Sequence, residues 1–299
     1  KVLRSFRPDV IHLIALKPIV LGSLASIFYP KAKIVNAPVG MGYLFASNDV
    51  RARLARPLVK LVLKSTLGRK RSMTIIENSD DKTSLVEGRF LHSNQIVLIR
   101  GTGVNLDVFR PTTEPDGPKI VVLIARMLRD KGVFEFVESA RIIKRTHPTT
   151  LFWLIGDADP GNPASLTTQQ LQAWNDEGIV EWLGYRTDVA DLLTKIHVVC
   201  LPSYREGFGK VFVEAGAALR AVVATDVPGC REAVEHQING LLVEPKNSEA
   251  LAAALVEVLD NDLLRLRLAK EGRRRAEFEF SSETVNAQTL AVYQQVLGQ

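Results

Sequence analysis

An apolar run ends at Leu201 and opens into Pro-Ser-Tyr204-Arg205-Glu206-Gly207-Phe208-Gly209-Lys210-Val-Phe-Val-Glu214, which reads as a strand end, a Gly-rich loop and a helix start. Glycines in such a loop let backbone N–H groups approach a ligand and point at an anion. Glu206 and Glu214 bracket seven residues. One lies in the loop and the other a turn into the helix, where carboxylates can accept hydrogen bonds from hydroxyl groups. Standing alone, such a pair reads better as a capping Glu and a surface Glu. It has company upstream. The run 120–125 ends in Arg126-Met-Leu-Arg-Asp-Lys131-Gly132, ahead of a helix over 133–145. In doubly wound sheets, ligands sit at the carboxyl ends of strands. A helix N-terminus beside an Arg fork and a Lys point charge suits a diphosphate. By itself this stretch reads equally as a solvated basic turn.

The elements that must position these residues follow from hydrophobic patterning. Short β-branched runs alternate with helix-length amphipathic segments along the chain. Strands are predicted at 10–13, 33–36, 74–77, 96–99, 120–124, 151–155, 180–183, 198–201, 221–224 and 240–243. Strands separated by helical patterns imply βαβ units, parallel sheet and an α/β fold. A length of 299 residues fits two domains. Pro111-Thr-Thr-Glu-Pro-Asp-Gly-Pro118, dense in turn formers, reads as the linker between 1–110 and 119–299. The second part holds enough units for a complete Rossmann-like domain and the first about half of one. With Lys1 in place of an initiating Met, and a strand at 8–13 that needs neighbours, the N-terminal domain is expected to be truncated. A final helix over 283–297 follows Phe280-Ser281-Ser282, where Ser can cap it; it is a candidate for crossing back to the first domain.

Charge is uneven along the chain. Residues 1–118 carry 18 Lys/Arg against 9 Asp/Glu, and residues 119–299 carry 20 against 24. A basic half beside an acidic one predicts an anionic partner for the first. The stretch 50–72 holds Arg51, Arg53, Arg56, Lys60, Lys64, Arg69, Lys70 and Arg71 with no acid. Arg53, Arg56, Lys60 and Lys64 fall at helical spacing opposite Leu54, Leu58, Leu61 and Val62. A basic amphipathic helix fits an anionic membrane surface, and reads alternatively as a solvated face. Aromatic interleaving is absent, which argues against nucleic acid. The apolar run 10–28 is interrupted by His12, Lys17 and Pro18 and is too short to span a bilayer. Cys200 and Cys230 imply no disulfide framework and fit a reducing cytoplasm.

Glu206 and Glu214, with Arg126 and Lys131-Gly132 upstream, resemble the retaining glycosyltransferases of family 4, the group 1 transferases. Other pieces agree in order: Gly101-Thr-Gly103-Val104-Asn105 before Pro111, Gly156-Asp157, Val180-Glu-Trp-Leu-Gly184, Val227-Pro-Gly229-Cys-Arg-Glu232 and Asn239-Gly240-Leu-Leu-Val243. The resemblance implies a GT-B fold, two Rossmann-like domains facing a cleft, and hexose transfer from a nucleotide-diphosphate sugar with retention. UDP is favoured as carrier. It further implies that Arg126 and Lys131 bind the diphosphate, that Glu214 holds the ribose and that Glu206 contacts the transferred sugar, the one carboxylate with a possible nucleophilic role. Amides of Gly207, Phe208 and Gly209 would support sugar and phosphate. Gly184-Tyr185-Arg186 would line the base pocket, and Gly103 would sit at the domain interface near the phosphates.

Less tightly, His12-Leu-Ile-Ala-Leu-Lys17-Pro18 and Gly40-Met-Gly42-Tyr43-Leu-Phe45 resemble the branch that extends polyprenyl-diphosphate-linked sugars. The implied acceptor is a lipid-linked saccharide in surface polysaccharide synthesis, at the cytoplasmic face of the inner membrane. His12 and Asn36 are the acceptor-side candidates, His12 reading equally as a structural strand-end residue. Asp157-Ala-Asp159 mimics the metal motif of another transferase fold, but two cations already face the diphosphate, so no metal and no cofactor are expected. Gly101-x-Gly103 has Leu106 where a dinucleotide fingerprint has its third Gly, and Gly207-Phe-Gly209-Lys210 lacks P-loop spacing. The fold also hosts nucleotide-sugar epimerases; the Glu206/Glu214 spacing favours transfer. A non-catalytic donor-binding module is the remaining alternative.

Overall fold

The computed structural model describes residues 2–39, 64–68 and 72–298. They form two compact units, Lys1–Gly101 with Glu283–Gln299, and Thr102–Ser282. The first unit contains α1 (Val2–Phe6), β1 (Val10–Ile14), α2 (Leu16–Ser26), β2 (Lys33–Ala37), β3 (Ser72–Ile76), α3 (Ser79–Glu87) and β4 (Ile96–Leu98). The second contains β5 (Ile120–Ile124), α4 (Val133–Lys144), β6 (Leu151–Ile155), α5 (Thr168–Asp176), β7 (Glu181–Trp182), α6 (Val189–Leu193), β8 (Val198–Leu201), α7 (Lys210–Ala217), β9 (Ala221–Thr225), α8 (Cys230–Ala233), β10 (Leu241–Val243), α9 (Ser248–Asp260) and α10 (Asp262–Phe278). Helix α11 (Ser282–Leu297) follows.

The first unit carries a four-stranded parallel sheet in the order β1-β2-β3-β4. Its β-branched strands are packed on both faces, as parallel sheets require. Leu13, Ile34 and Ile76 pack with Ile19 of α2 and Leu85 of α3. On the other face, Val35, Met73 and Ile75 pack with Val285 and Val292 of α11. The last helix thus belongs with the first unit, because its apolar positions match that face.

The second unit carries a six-stranded parallel sheet in the order β10-β9-β8-β5-β6-β7. Strands run outward from β5 in one direction and from β8 in the other. This reversal is the switch point at which doubly wound sheets open a crevice for ligands. Strands β8 and β9 are buried along their whole length. Cys200 and Cys230 are both free and buried, and burial raises both thiols.

The boundary between the units falls at Gly101, ahead of Pro111–Pro118. Residues 102–118 are strapped to the second unit by partners distant in sequence. The Val104 N–H donates to Phe280 O and the Ser282 N–H to Val104 O. Arg273 donates to Phe109 O. Arg220, 1% exposed, donates to the carbonyl and hydroxyl of Thr112. Arg265, also 1% exposed, grips both oxygens of Glu114 at 2.8 and 2.9 Å. A turn-rich segment therefore behaves as part of the domain it precedes. Gly103 has φ +80°, and a Cβ there would lie 2.6 Å from Ser282 Cα; it serves this crossing of chains.

The basic stretch from Arg51 to Arg71 and the Gly40–Phe45 motif lie outside the described residues, apart from 64–68. No helix among the described residues is long and apolar enough to cross a membrane.

Arg265→Leu strands the Glu114 carboxylate, 13% exposed, without its partner. The expected cost is ~3 kcal/mol in urea unfolding. Arg274→Leu, which removes an exposed pair with Glu271, is expected to leave the midpoint unmoved.

Candidate functional site

The loops that leave β5 and β8 line a cavity of about 250 Å³ at the switch point, bounded by Ala125, Arg126, Lys131, Leu201, Glu206, Phe208, Gly209 and Lys210. Residues 129–131 form a 3-10 turn, and Gly132 then reverses the chain at φ +71°. A Cβ on Gly132 would stand 2.1 Å from Pro202 O. Glycine thus lets the two loops meet backbone to backbone. Across this contact Lys131 Nζ lies 2.5 Å from Glu206 Oε1. The same oxygen accepts from Ser203 Oγ at 2.7 Å, and Thr225 Oγ1, at the end of β9, donates to Ser203 O. Gly229 seals the other side, where a Cβ would be 2.4 Å from Glu206 O.

Tyr204 adds a second tie. Its N–H donates to Asp130 O at 2.9 Å and its hydroxyl to Glu135 Oε1 at 2.6 Å. Lys246 Nζ sits 4.8 Å above its ring. Helix α7 starts at this cavity after Gly209, and α4 starts after Gly132, next to the lining residue Lys131; neither has a side-chain cap. By contrast, α3, α5, α9 and α10 are capped by Asn78, Thr167, Asn247 and Asn261. Uncapped first-turn amides and the helix dipole favour an anion.

Among the residues picked from sequence, Arg126, Lys131, Glu206, Phe208 and Gly209 come together at the cavity. Arg126, exposed, pairs with Asp159 at 2.7 Å. Asp159 is thus a partner for a cation, and Asp157 accepts the Tyr185 N–H. Among the described residues no group of three or more His, Cys, Asp or Glu could hold a metal. Glu214, 16% exposed, lies 3.5 Å from Lys210 Nζ one turn along α7. The Gly209 N–H is not free, since it donates to Gly229 O at 3.4 Å.

Other picks lie elsewhere. Gly184, Tyr185 and Arg186 follow β7, two strands from β5, and do not line the cavity. Tyr185 is exposed, and Arg186 is forked onto Asp188 at 2.8 and 2.5 Å. Gly103 also lies off the cavity, against Ser282. His12 sits within β1 rather than at its end. Its Nδ1 meets the Tyr293 hydroxyl at 2.8 Å, Nε2 is buried without a partner, and burial lowers its pKa. This is a packed residue bound to α11. Asn36 is fully buried, with neither amide atom hydrogen-bonded; Thr74, its neighbour across β2 and β3, likewise has an unbonded hydroxyl.

Sequence reasoning missed Ser203, Tyr204, Asp159 and Lys210 as neighbours of the site. The available signal was position, since each lies in a loop at a strand's carboxyl end or on the first helical residue after it.

A family model for glycosyl transferases group 1 matches residues 106–275. The chain is 30% identical over 310 aligned residues to N,N'-diacetylbacillosaminyl-diphospho-undecaprenol alpha-1,3-N-acetylgalactosaminyltransferase of Campylobacter jejuni, covering 99% of this chain and 80% of that one. The chain belongs to the group 1 glycosyltransferases. It is also 23% identical to UDP-Gal:alpha-D-GlcNAc-diphosphoundecaprenol alpha-1,3-galactosyltransferase of Escherichia coli, over 89% of this chain and 70% of the relative. Among solved structures, Anabaena HepE in complex with UDP superposes with a TM-score of 0.81 at 20% identity, over 98% of this chain and 80% of that one. The fold of this group 1 transferase is that of the GT-B glycosyltransferases.

Burial raises the Glu214 carboxyl, with Lys210 pulling the other way. A carboxyl whose pKa is higher folded than unfolded costs stability once ionised. The cost appears as pH rises through the ordinary carboxylate range to the raised value, and persists at neutral pH. Glu214→Gln is therefore expected to gain ~1 kcal/mol in urea unfolding at neutral pH. The gain should vanish as pH falls below the ordinary carboxylate range, where the group is protonated in both folded and unfolded chains.

Proposed function

We propose that this chain is a retaining hexosyltransferase moving a hexose from a nucleotide-diphosphate sugar, with UDP favoured, to a lipid-linked saccharide in surface polysaccharide synthesis. The observation that carries this reading is the cavity at the β5/β8 switch point, where Arg126 and Lys131 meet the uncapped starts of α4 and α7. That is a site for a diphosphate. Glu206 and Glu214 stand beside it as acceptors for sugar and ribose hydroxyls. Two relatives are named for acceptors on diphospho-undecaprenol, and HepE binds UDP; both facts support the choice of donor and acceptor.

Glu206 is held by Lys131 and Ser203, an arrangement that favours positioning over nucleophilic attack. The reaction then proceeds on the front face. The anomeric carbon–oxygen bond to the diphosphate breaks and its electron pair stays on the phosphate oxygen. The acceptor hydroxyl oxygen bonds to the anomeric carbon from the same side, and its proton passes to the departing phosphate. Arg126, Lys131 and the helix ends stabilise the charge that develops, without a metal or cofactor. The acceptor places the enzyme at the cytoplasmic face of the inner membrane as a peripheral protein, with the basic Arg51–Arg71 stretch toward anionic lipid. It has no role for nucleic acid.

Calorimetric titration with UDP and GDP, without added metal, tests the donor site. One nucleotide is expected to bind, UDP before GDP. Arg126→Ala and Glu214→Ala are each expected to weaken it about tenfold or more. Gly132→Ala, which pushes the Lys131 loop off Pro202, is expected to do the same. Absence of binding by folded protein overturns the assignment. With an undecaprenyl-diphosphate saccharide acceptor, NMR of the product reads retention directly, and donor epimerised without transfer would point to an epimerase.

A further inference from the structure

Three cations surround the donor site, and each is paired with a carboxylate. Arg126 pairs with Asp159 at 2.7 Å, Lys131 with Glu206 at 2.5 Å and Lys210 with Glu214 at 3.5 Å. The three differ in how firmly they are held. Lys131 is largely buried, and the carboxylate it faces is also bound by Ser203. Lys210 is 55% exposed, and its separation from Glu214 exceeds a good N–H···O distance. An exposed pair four residues apart on a helix is worth little. Lys210 nevertheless lines the same cavity as Arg126 and Lys131. It is the first residue of α7, whose amide end has no side-chain cap. Its flexible stem and compact charge suit an anion that arrives from solvent.

We propose that Lys210 is a third cation for the donor diphosphate, leaving Glu214 to contact it when the nucleotide binds; this rests on the donor-site reading above. Glu214 is thereby released to the ribose, so one event satisfies both groups. The alternative is that Lys210 only orients Glu214, and the two roles separate by the ligand they affect. A phosphate contact acts on the diphosphate and not on the nucleoside.

The test is titration of wild type, Lys210→Gln and Lys210→Arg with UDP, and with uridine by competition against UDP. Lys210→Gln is expected to weaken UDP about tenfold, to leave uridine unchanged and to flatten the salt dependence of UDP binding. Lys210→Arg is expected to retain most of the affinity. Equal weakening of UDP and uridine, or weakening of uridine alone, overturns the proposal in favour of an orienting role. Unchanged UDP affinity in Lys210→Gln overturns it outright while the donor-site reading stands. A wild-type protein that binds neither ligand overturns both.

Discussion

The site depends on a close approach of two backbones. The loop after β5 and the loop after β8 touch where Gly132 lies on the Pro202 carbonyl, with no room for a single methyl group between them. Only that approach brings the ammonium of Lys131 within hydrogen-bond distance of the Glu206 carboxylate. A largely buried ion pair is costly unless its geometry is good and its remaining bonding capacity is met. Here Ser203 supplies a further donor, Thr225 fixes Ser203, and Tyr204 ties the same loop to Asp130 and Glu135. The loops after β5, β8 and β9 therefore behave as one object, and displacing any of them disturbs the others.

The proposed donor site would meet its substrate by exchange of partners. Arg126, Lys131 and Lys210 are each matched with a carboxylate, so none of the three charges stands alone. On the proposed reading, a bound diphosphate would replace protein carboxylates with phosphate oxygens, beside two helix starts that carry no side-chain cap. Preorganised dipoles of this kind stabilise charge that develops on a leaving group without reorganising at the moment of reaction. The raised Glu214 carboxyl would fit the same reading, because burial of an ionisable group is destabilising without a partner.

Among the described residues, the ten strands were legible as short β-branched runs, and their bounds shifted by no more than a residue or two. The alternation of strands and helices gave the parallel sheets, because a parallel pair needs a crossover and the crossover is a helix. The loops after β5 and β8 and the helix starts behind them were legible too, since strand end, glycine and helix start are local features. Less legible were the roles of His12 and Arg186. Each looked available, yet His12 meets Tyr293 from the far end of the chain and Arg186 is forked onto Asp188.

What the sequence by itself determined is the set of local elements, the Gly-rich loops and the residue types that could hold a nucleotide sugar. Periodicity, turn chemistry and the spacing of Glu206 and Glu214 are properties of neighbours along the chain. The tertiary structure alone decided which charge meets which. Lys131 finds Glu206, Arg126 finds Asp159, and Arg265 finds Glu114 across 151 residues. The same holds for the segment 111–118, which reads as a linker but is bound into the second unit by Arg220 and Arg265. The physical reason is common to all of these. A buried charge or carbonyl must be satisfied by whatever group folding brings within reach, and that group is chosen by sheet order and helix packing rather than by distance along the chain.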